Sequence, residues 1–410
     1  MVRNILPNSI CLLPHCAYLS QVSRMIEIYR ALQARGVTPR VATYGGTFET
    51  ALRAAGIDYD LIGPRMDDAR CARFLREQPS SGPVGQSAYS DEELRAYVTA
   101  EADYFTRHGI DTVITGFSLT ATLSSRLAGV RLVTEHSASW VPPVFGSRPL
   151  PPAVRLTGAL LSRVKFYCAG FNRVAAKLGV PGLPSTAALL QGDLTLVTEA
   201  PDVLGRPAER IEGWRPGRGY RPETRLRVTG PLFAHLPIPL PDRVEQFLAR
   251  PGPIVYVTLS SSSPALVRAT VGALRPLGAR ILVASTVHDL ADLAGDRVLV
   301  GGVLPSHLVM PWVDLAVTTG GQGSVQTAMA AGVPLLGIPL QLEQRLNIAL
   351  VQRRGAGLEV RPRDAGGRHL TARAQELLAG DRYRQAAEEI RKIYADIDGP
   401  GNAAAAILGR

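Results

Sequence analysis

Short apolar runs of β character alternate with amphipathic helical stretches along this chain, and the alternation starts twice. A parallel strand pair needs a long crossover, usually a helix, so two passes of this rhythm imply two parallel sheets covered by helices on both faces. In the first pass, residues 9–13 form a short apolar run. Val22, Met25, Ile26, Tyr29 and Leu32 then share one helical face, and Gly36 stops it. Strands follow at 40–44, 111–115 and 131–134, with helices through Phe48 and Leu52 and near 120–127. The second pass opens on the apolar run IVYVTL at 254–259. It continues through strands at 280–284, 298–300, 315–318, 335–338 and 358–360.

At 410 residues the chain is too long for one ordinary core, and its 46% hydrophobic content gives ample material for two. The proline-rich HLPIPLPDR after Thr229-Gly230-Pro231 separates the halves. The expected division is 1–232, a linker at 233–250, a second domain at 251–392, and a terminal helical segment at 393–410. The segment 141–187, rich in Pro and Arg, reads as a helical insertion on the first domain or as an acceptor- or membrane-touching excursion. The net charge of +10 comes from scattered arginines with no dense basic stripe, so nucleic acid is not an expected partner. No apolar run is long enough to span a bilayer. Pro7 and Pro14 break the opening apolar stretch, which favours a first strand over a signal peptide and a cytoplasmic location. Cys11, Cys16, Cys71 and Cys168 form no disulfide or metal-ligand pattern and are expected as reduced core thiols.

The chemistry concentrates in VTTGGQGSVQTAMAAGVPLLGIPLQLEQRLNIALVQRRGAGLEV, residues 317–360. An apolar strand ends at Thr318. Gly320, Gly321 and Gly323 follow as a tight turn, and a helix is expected from about Ser324. Backbone that a ligand can approach closely, ending on the positive end of a helix, suits a diphosphate. Beyond Gly332-Val333-Pro334 and a further strand, Gln341, Glu343, Gln344 and Asn347 bring a carboxylate and amides to a strand's C-terminal edge, where they suit sugar hydroxyls.

This ordered set resembles the donor-binding signature of the UDP-glycosyltransferase superfamily, in its bacterial macrolide and antibiotic branch. The resemblance implies an α/β GT-B fold, two Rossmann-like domains facing across a cleft, with the acceptor on the N-terminal domain. It implies that Ser260, Ser261, Thr319, Gly320, Gly321, Gln322, Gly323 and Ser324 hold the diphosphate, that Glu343 and Gln344 hold the sugar, and that Val303 lies by the nucleobase. A nucleoside diphosphate sugar would be the co-substrate and a small molecule the acceptor, with no cofactor and no metal. Inversion at the sugar carbon is implied as well. Residues 399–405 resemble the family's last helix, which crosses back to the first domain.

Three positions depart from the family pattern. Thr319 stands where a His precedes the Gly-Gly pair. Gln21, within SQVSR, stands where inverting members carry a His as general base, and an amide has no useful basicity. Gly116 stands where an Asp orients that base. His15, Glu135 and His136 are the replacement candidates, and an acidic acceptor needing no base is a further option. Two other readings remain open from sequence: a catalytically silent homologue that binds nucleotide or a partner, and a GT-B enzyme that modifies a nucleotide sugar without an acceptor.

Overall fold

The structure is a computed structural model that describes residues 9–77, 88–142, 163–259, 262–285 and 288–410. Residues 1–232 with 398–410 form one compact unit, and 233–397 form the other.

In the first unit, β1 (Ile10–Leu12), β2 (Arg40–Thr43), β3 (Asp60–Leu61), β4 (Thr112–Thr115), β5 (Arg131–His136), β6 (Leu194–Val197) and β7 (Arg225–Val228) make one sheet. Its order is β3-β2-β1-β4-β5-β6-β7, and every pairing is parallel. The expected apolar runs at 9–13, 40–44, 111–115 and 131–134 all became strands. β3, β6 and β7 were not foreseen. The strand expected at 131–134 continues two residues further, because Glu135 and His136 still pair with Leu196 and Val197 of β6. These two side chains therefore sit on the strand, not in the loop after it.

Helix α1 (Leu19–Gln33) follows β1 and begins earlier than the apolar spacing suggested, so Gln21 lies in its first turn. Its apolar face, Val22, Met25, Ile26 and Leu32, packs with Ile10, Leu12, Ile114 and Val133 of the sheet. Helix α2 (Asp91–Arg107) is started by Ser90, whose hydroxyl accepts from the Glu93 N–H, with three acidic residues in the first turn. It packs beside α3 (Ala121–Ala128). All four cysteines are free and buried.

Two carboxyl groups, Glu101 and Glu135, lie wholly inside this unit. Glu101 of α2 accepts hydrogen bonds from the Thr120 and Ser124 hydroxyls, and Tyr44 Oη lies 2.9 Å from Thr120 Oγ1. Burial raises its pKa from 4.5 to about 8, against the lowering effect of those two donors. Because the folded state holds the proton more tightly than the unfolded chain, this contribution is complete below about pH 4.5 and is lost progressively as pH rises to about 8. Each tenfold difference in proton affinity between the two states is worth about 1.4 kcal/mol, so the loss amounts to a few kcal/mol. Glu101→Gln keeps a donor and an acceptor for the two hydroxyls and removes the titration. Urea denaturation at pH 5, 6.5 and 8 should show wild type declining across this window more steeply than the variant; parallel curves would refute the assignment.

The second unit repeats the winding. Strands β8 (Ile254–Thr258), β9 (Arg280–Ala284), β10 (Val298–Gly302), β11 (Leu315–Thr318), β12 (Leu335–Gly337) and β13 (Gly357–Glu359) order as β10-β9-β8-β11-β12-β13, again all parallel. All six match expected apolar runs. Val255, Val257, Ile281, Val283, Leu315 and Val317 build its core. Helix α4 (Gln322–Ala330) follows β11 and α5 (Leu342–Arg353) follows β12. The final helix, α6 (Gly399–Leu408), belongs to the first unit. Gly399-Pro400-Gly401 is its first turn, capped by the Asp398 carboxylate accepting from the Gly401 N–H at 2.8 Å. A Cβ on Gly399 would overlap the Pro231 carbonyl oxygen, and Asn402 Nδ2 donates to Thr229 O at 3.0 Å. Among the described residues, no helix is long and apolar enough to cross a membrane.

Candidate functional site

In an open parallel sheet, adjacent strands whose crossovers leave on opposite faces open a crevice at their C-terminal ends. The strand orders put that point between β1 and β4 in the first unit and between β8 and β11 in the second. Gln21 and Gly116 stand just after β1 and β4. The glycine turn stands just after β11.

In the second unit, β11 ends at Thr318, whose hydroxyl accepts from the Gly320 N–H at 3.2 Å. Thr319 is buried. Gly320 has φ +92°, and a Cβ there would lie 2.5 Å from Ile348 Cδ1 and 2.7 Å from Gln344 O. Only glycine lets the turn press this closely on α5. Asn347 Nδ2 fixes it further by donating to Gly320 O at 3.0 Å. Gly321 and Gly323 differ, since a Cβ at either would meet nothing within 4 Å.

Gly321 is the N-cap of α4, which begins at Gln322, two residues before the expected start. No side chain caps this helix, and its first turn carries no acidic residue. The first N–H groups of a helix have no acceptor within it, and the aligned peptide dipoles place roughly half a positive charge there. This end of α4 therefore carries a positive potential, and the two glycines leave open space beside it.

Glu343 and Gln344 lie in the first turn of α5. Gln344 Oε1 accepts from the N–H groups of Leu340 and Gln341, at 2.8 and 3.2 Å, in a capping box with Gln341. Glu343 is half-buried and accepts from Asn347 Nδ2, the group that also holds Gly320 O. Carboxylate and glycine turn are thereby locked into one arrangement. Val303 follows β10 and is 40% exposed. Ser260 and Ser261 lie outside the described residues, as do residues 143–162, which hold much of the expected insertion.

In the first unit, the three positions singled out around the base come together with a fourth that sequence did not single out. Arg24, one turn after Gln21 on α1, pairs with Glu135 through its Nε, at 2.8 and 2.9 Å to the two carboxylate oxygens. The Gln21 amide spans the pair: its nitrogen donates to Glu135 Oε1 at 3.1 Å and its oxygen accepts from Arg24 Nη2 at 2.5 Å. Gly116 makes room for this closed network. A Cβ on Gly116 would overlap the Gln21 amide and come within 2.6 Å of Glu135 Oε1. An Asp at 116, the family pattern, has no space here. Burial leaves the Glu135 carboxyl above its ordinary value, although Arg24 and the Gln21 donor offset part of that rise. The guanidinium stays charged, and a buried cation without its counter-ion is costly, so the pair is ionised.

The other two candidates are imidazoles buried in apolar surroundings. His136 stands edge-on to Phe117, at 5.6 Å and 82°. Burial first, and then the charge of Arg24, lower its pKa to about 3. His15 stacks on Phe74 at 4.5 Å and 26°, and burial, with Arg70 next, lowers it to about 3 as well. Tyr18 bridges them, 5.5 Å from His15 and 5.5 Å from Phe117. The structure thus joins Gln21, Glu135 and His136 at one sheet edge and places His15 at the far end of an aromatic row.

Two parallel sheets of Rossmann winding, each with its switch point, define the class of fold: α/β of the GT-B type. Residues 268–406 match the family described as erythromycin biosynthesis protein CIII-like, C-terminal domain. Over 327 residues the chain is 25% identical to a PGL/p-HBAD biosynthesis glycosyltransferase of Mycobacterium tuberculosis, spanning 76% of this chain and 73% of that one. Over 149 residues it is 33% identical to 4'-demethylrebeccamycin synthase of Lentzea aerocolonigenes, spanning 36% and 35% of the two chains. Among solved structures, the glycosyltransferase VinC in complex with dTDP superposes with a TM-score of 0.69 at 18% identity, covering 98% of both chains. The chain is thus similar in sequence to glycosyltransferases and in fold to solved GT-B structures.

Proposed function

We propose that this protein transfers a sugar from a nucleoside diphosphate, of the dTDP or UDP class, to a small specialised-metabolite acceptor, in a single inverting displacement that needs no metal ion. The observation that carries the reading is the uncapped mouth of α4 behind a turn whose Gly321 and Gly323 leave open space. The amides of Gln322, Gly323 and Ser324 would take the diphosphate, with Ser260, Ser261 and Thr319 as further donors. Glu343 and the Gln344 nitrogen would orient the sugar, and Val303 would lie against the base. As the acceptor oxygen bonds to the sugar carbon, the bond to diphosphate breaks and its electron pair leaves with the diphosphate. The fixed helix dipole is best placed to stabilise that growing charge. The solved relative in complex with dTDP supports the choice of nucleotide.

A thermal-shift panel of dTDP, UDP, GDP and ADP tests the reading. A ligand that binds only the folded state adds about 2.7 kcal/mol at one hundred times its Kd. The pyrimidine diphosphates should raise the melting temperature by several degrees and the purine ones by much less. No shift with any of the four would refute it.

A further inference from the structure

Each inverting transfer must dispose of the acceptor's proton, and few groups near the switch point of the first unit are able to take one. Its imidazoles are His15, His108 and His136. His108, the C-cap of α2, lies tilted against Tyr104 at 4.4 Å and 47°, away from the switch point. His15 and His136 are each about 1% exposed. The segments 1–8, 78–87 and 143–162 contain no His, Asp or Glu. Glu135 is fully buried and held by Arg24 and Gln21. Glu199, just past β6, turns back so that its Oε1 accepts from the Ala200 N–H at 2.8 Å.

Around the position where a base would stand, the facing groups are therefore Gln21 and Arg24 from α1, Gly116 after β4, and Glu135 and His136 from β5. Gln21, Arg24 and Glu135 form a neutral network closed on itself, with His136 buried beside it. The exchange is a coordinated one. The carboxylate comes from β5 instead of the end of β4, a guanidinium balances it, and an amide fills the remaining space.

We propose that the acceptor of this enzyme presents an acidic hydroxyl, as of a phenol or a carboxylic acid, which gives its proton to solvent and attacks as the anion. The inference rests on the transferase reading above. The acceptor oxygen loses its proton to water or buffer, its electron pair forms the bond to the sugar carbon, and the bond from that carbon to the diphosphate oxygen breaks with its pair. An aliphatic alcohol, which ionises far less readily, would need a base that this unit does not offer.

The test uses the full-length protein, dTDP-glucose as donor, and three acceptor groups of similar size: substituted phenols of graded acidity, benzoic acid, and benzyl alcohol. We expect kcat/KM for the most acidic phenol to exceed that for benzyl alcohol by at least 100-fold. The pH profile should move with the ionisation of each phenol. Gln21→His puts an imidazole beside Glu135, and it should raise transfer to benzyl alcohol at least tenfold with an inflection shared by all acceptors. Benzoic acid distinguishes the carboxyl from the phenol as the preferred class. Transfer to benzyl alcohol within tenfold of the phenols would overturn the proposal, as would one inflection common to all acceptors in wild type. Binding of the donor without transfer to any of the three groups would overturn it too. Failure of dTDP to bind at all is a separate result, which removes the transferase reading itself.

Discussion

Glu135→Leu should lower the stability of the N-terminal unit by about 3–5 kcal/mol, the cost of leaving a buried ion without its partner. Arg24 Nε loses both carboxylate oxygens, and the Gln21 nitrogen loses its acceptor. The guanidinium cannot shed its proton to escape the penalty. Adding Arg24→Met to this variant removes the stranded charge with little change in volume, and it should recover most of the loss. Buried ion pairs replaced as a unit by apolar groups are often neutral in stability. Urea denaturation of the wild type, the two single variants and the double variant gives the coupling directly. Additive losses, or a single-variant loss below about 1 kcal/mol, would mean that Arg24 reaches water and the network is not closed.

That network explains why departures from the family pattern occur together at Gln21 and Gly116. Gln21 and Glu135 need the space that a side chain at 116 would take. Such a network is invisible to sequence patterning. Arg24 and Glu135 are 111 positions apart, and no local spacing joins a residue in the first turns of one helix to the end of the fifth strand. Gln21 and Gly116 were legible as two altered positions, but nothing in the sequence showed that they touch.

The sheets were legible where strands are apolar on both faces, as Ile254–Thr258 is. The strands that escaped notice at the sheet edges lack that signal. Arg225–Val228 alternates arginine with apolar residues on an edge strand, and Asp60–Leu61 is two exposed residues at the other edge. The glycine turn was legible because its glycines punctuate a strand-to-helix junction. What sequence could not divide was their labour. Gly320 is required by the packing of α5, while Gly321 and Gly323 line open space. The boundary of α4 was misjudged for a related reason, since Gly323 is a poor helix former and hides the start at Gln322.

The same division allows a substitution whose effects on fold and ligand have opposite signs. Gly323→Asp places a carboxylate in the first turn of α4, at a site where the new side chain meets nothing within 4 Å. An acidic residue there complements the helix dipole and replaces a poor helix former, so stability should hold or rise by up to about 1 kcal/mol. A diphosphate bound at that mouth would face a like charge. At about 5 Å and an effective dielectric near 20, the repulsion is about 3 kcal/mol per unit charge. That corresponds to at least a 100-fold loss of affinity.

Isothermal titration of dTDP into wild type and Gly323→Asp, with urea denaturation of both, asks most directly whether the diphosphate sits at the mouth of α4. Wild type should bind, the variant should lose at least 100-fold in affinity, and the variant should be no less stable than its parent. Equal affinity in the two proteins would place the diphosphate somewhere else and remove the basis for the donor site.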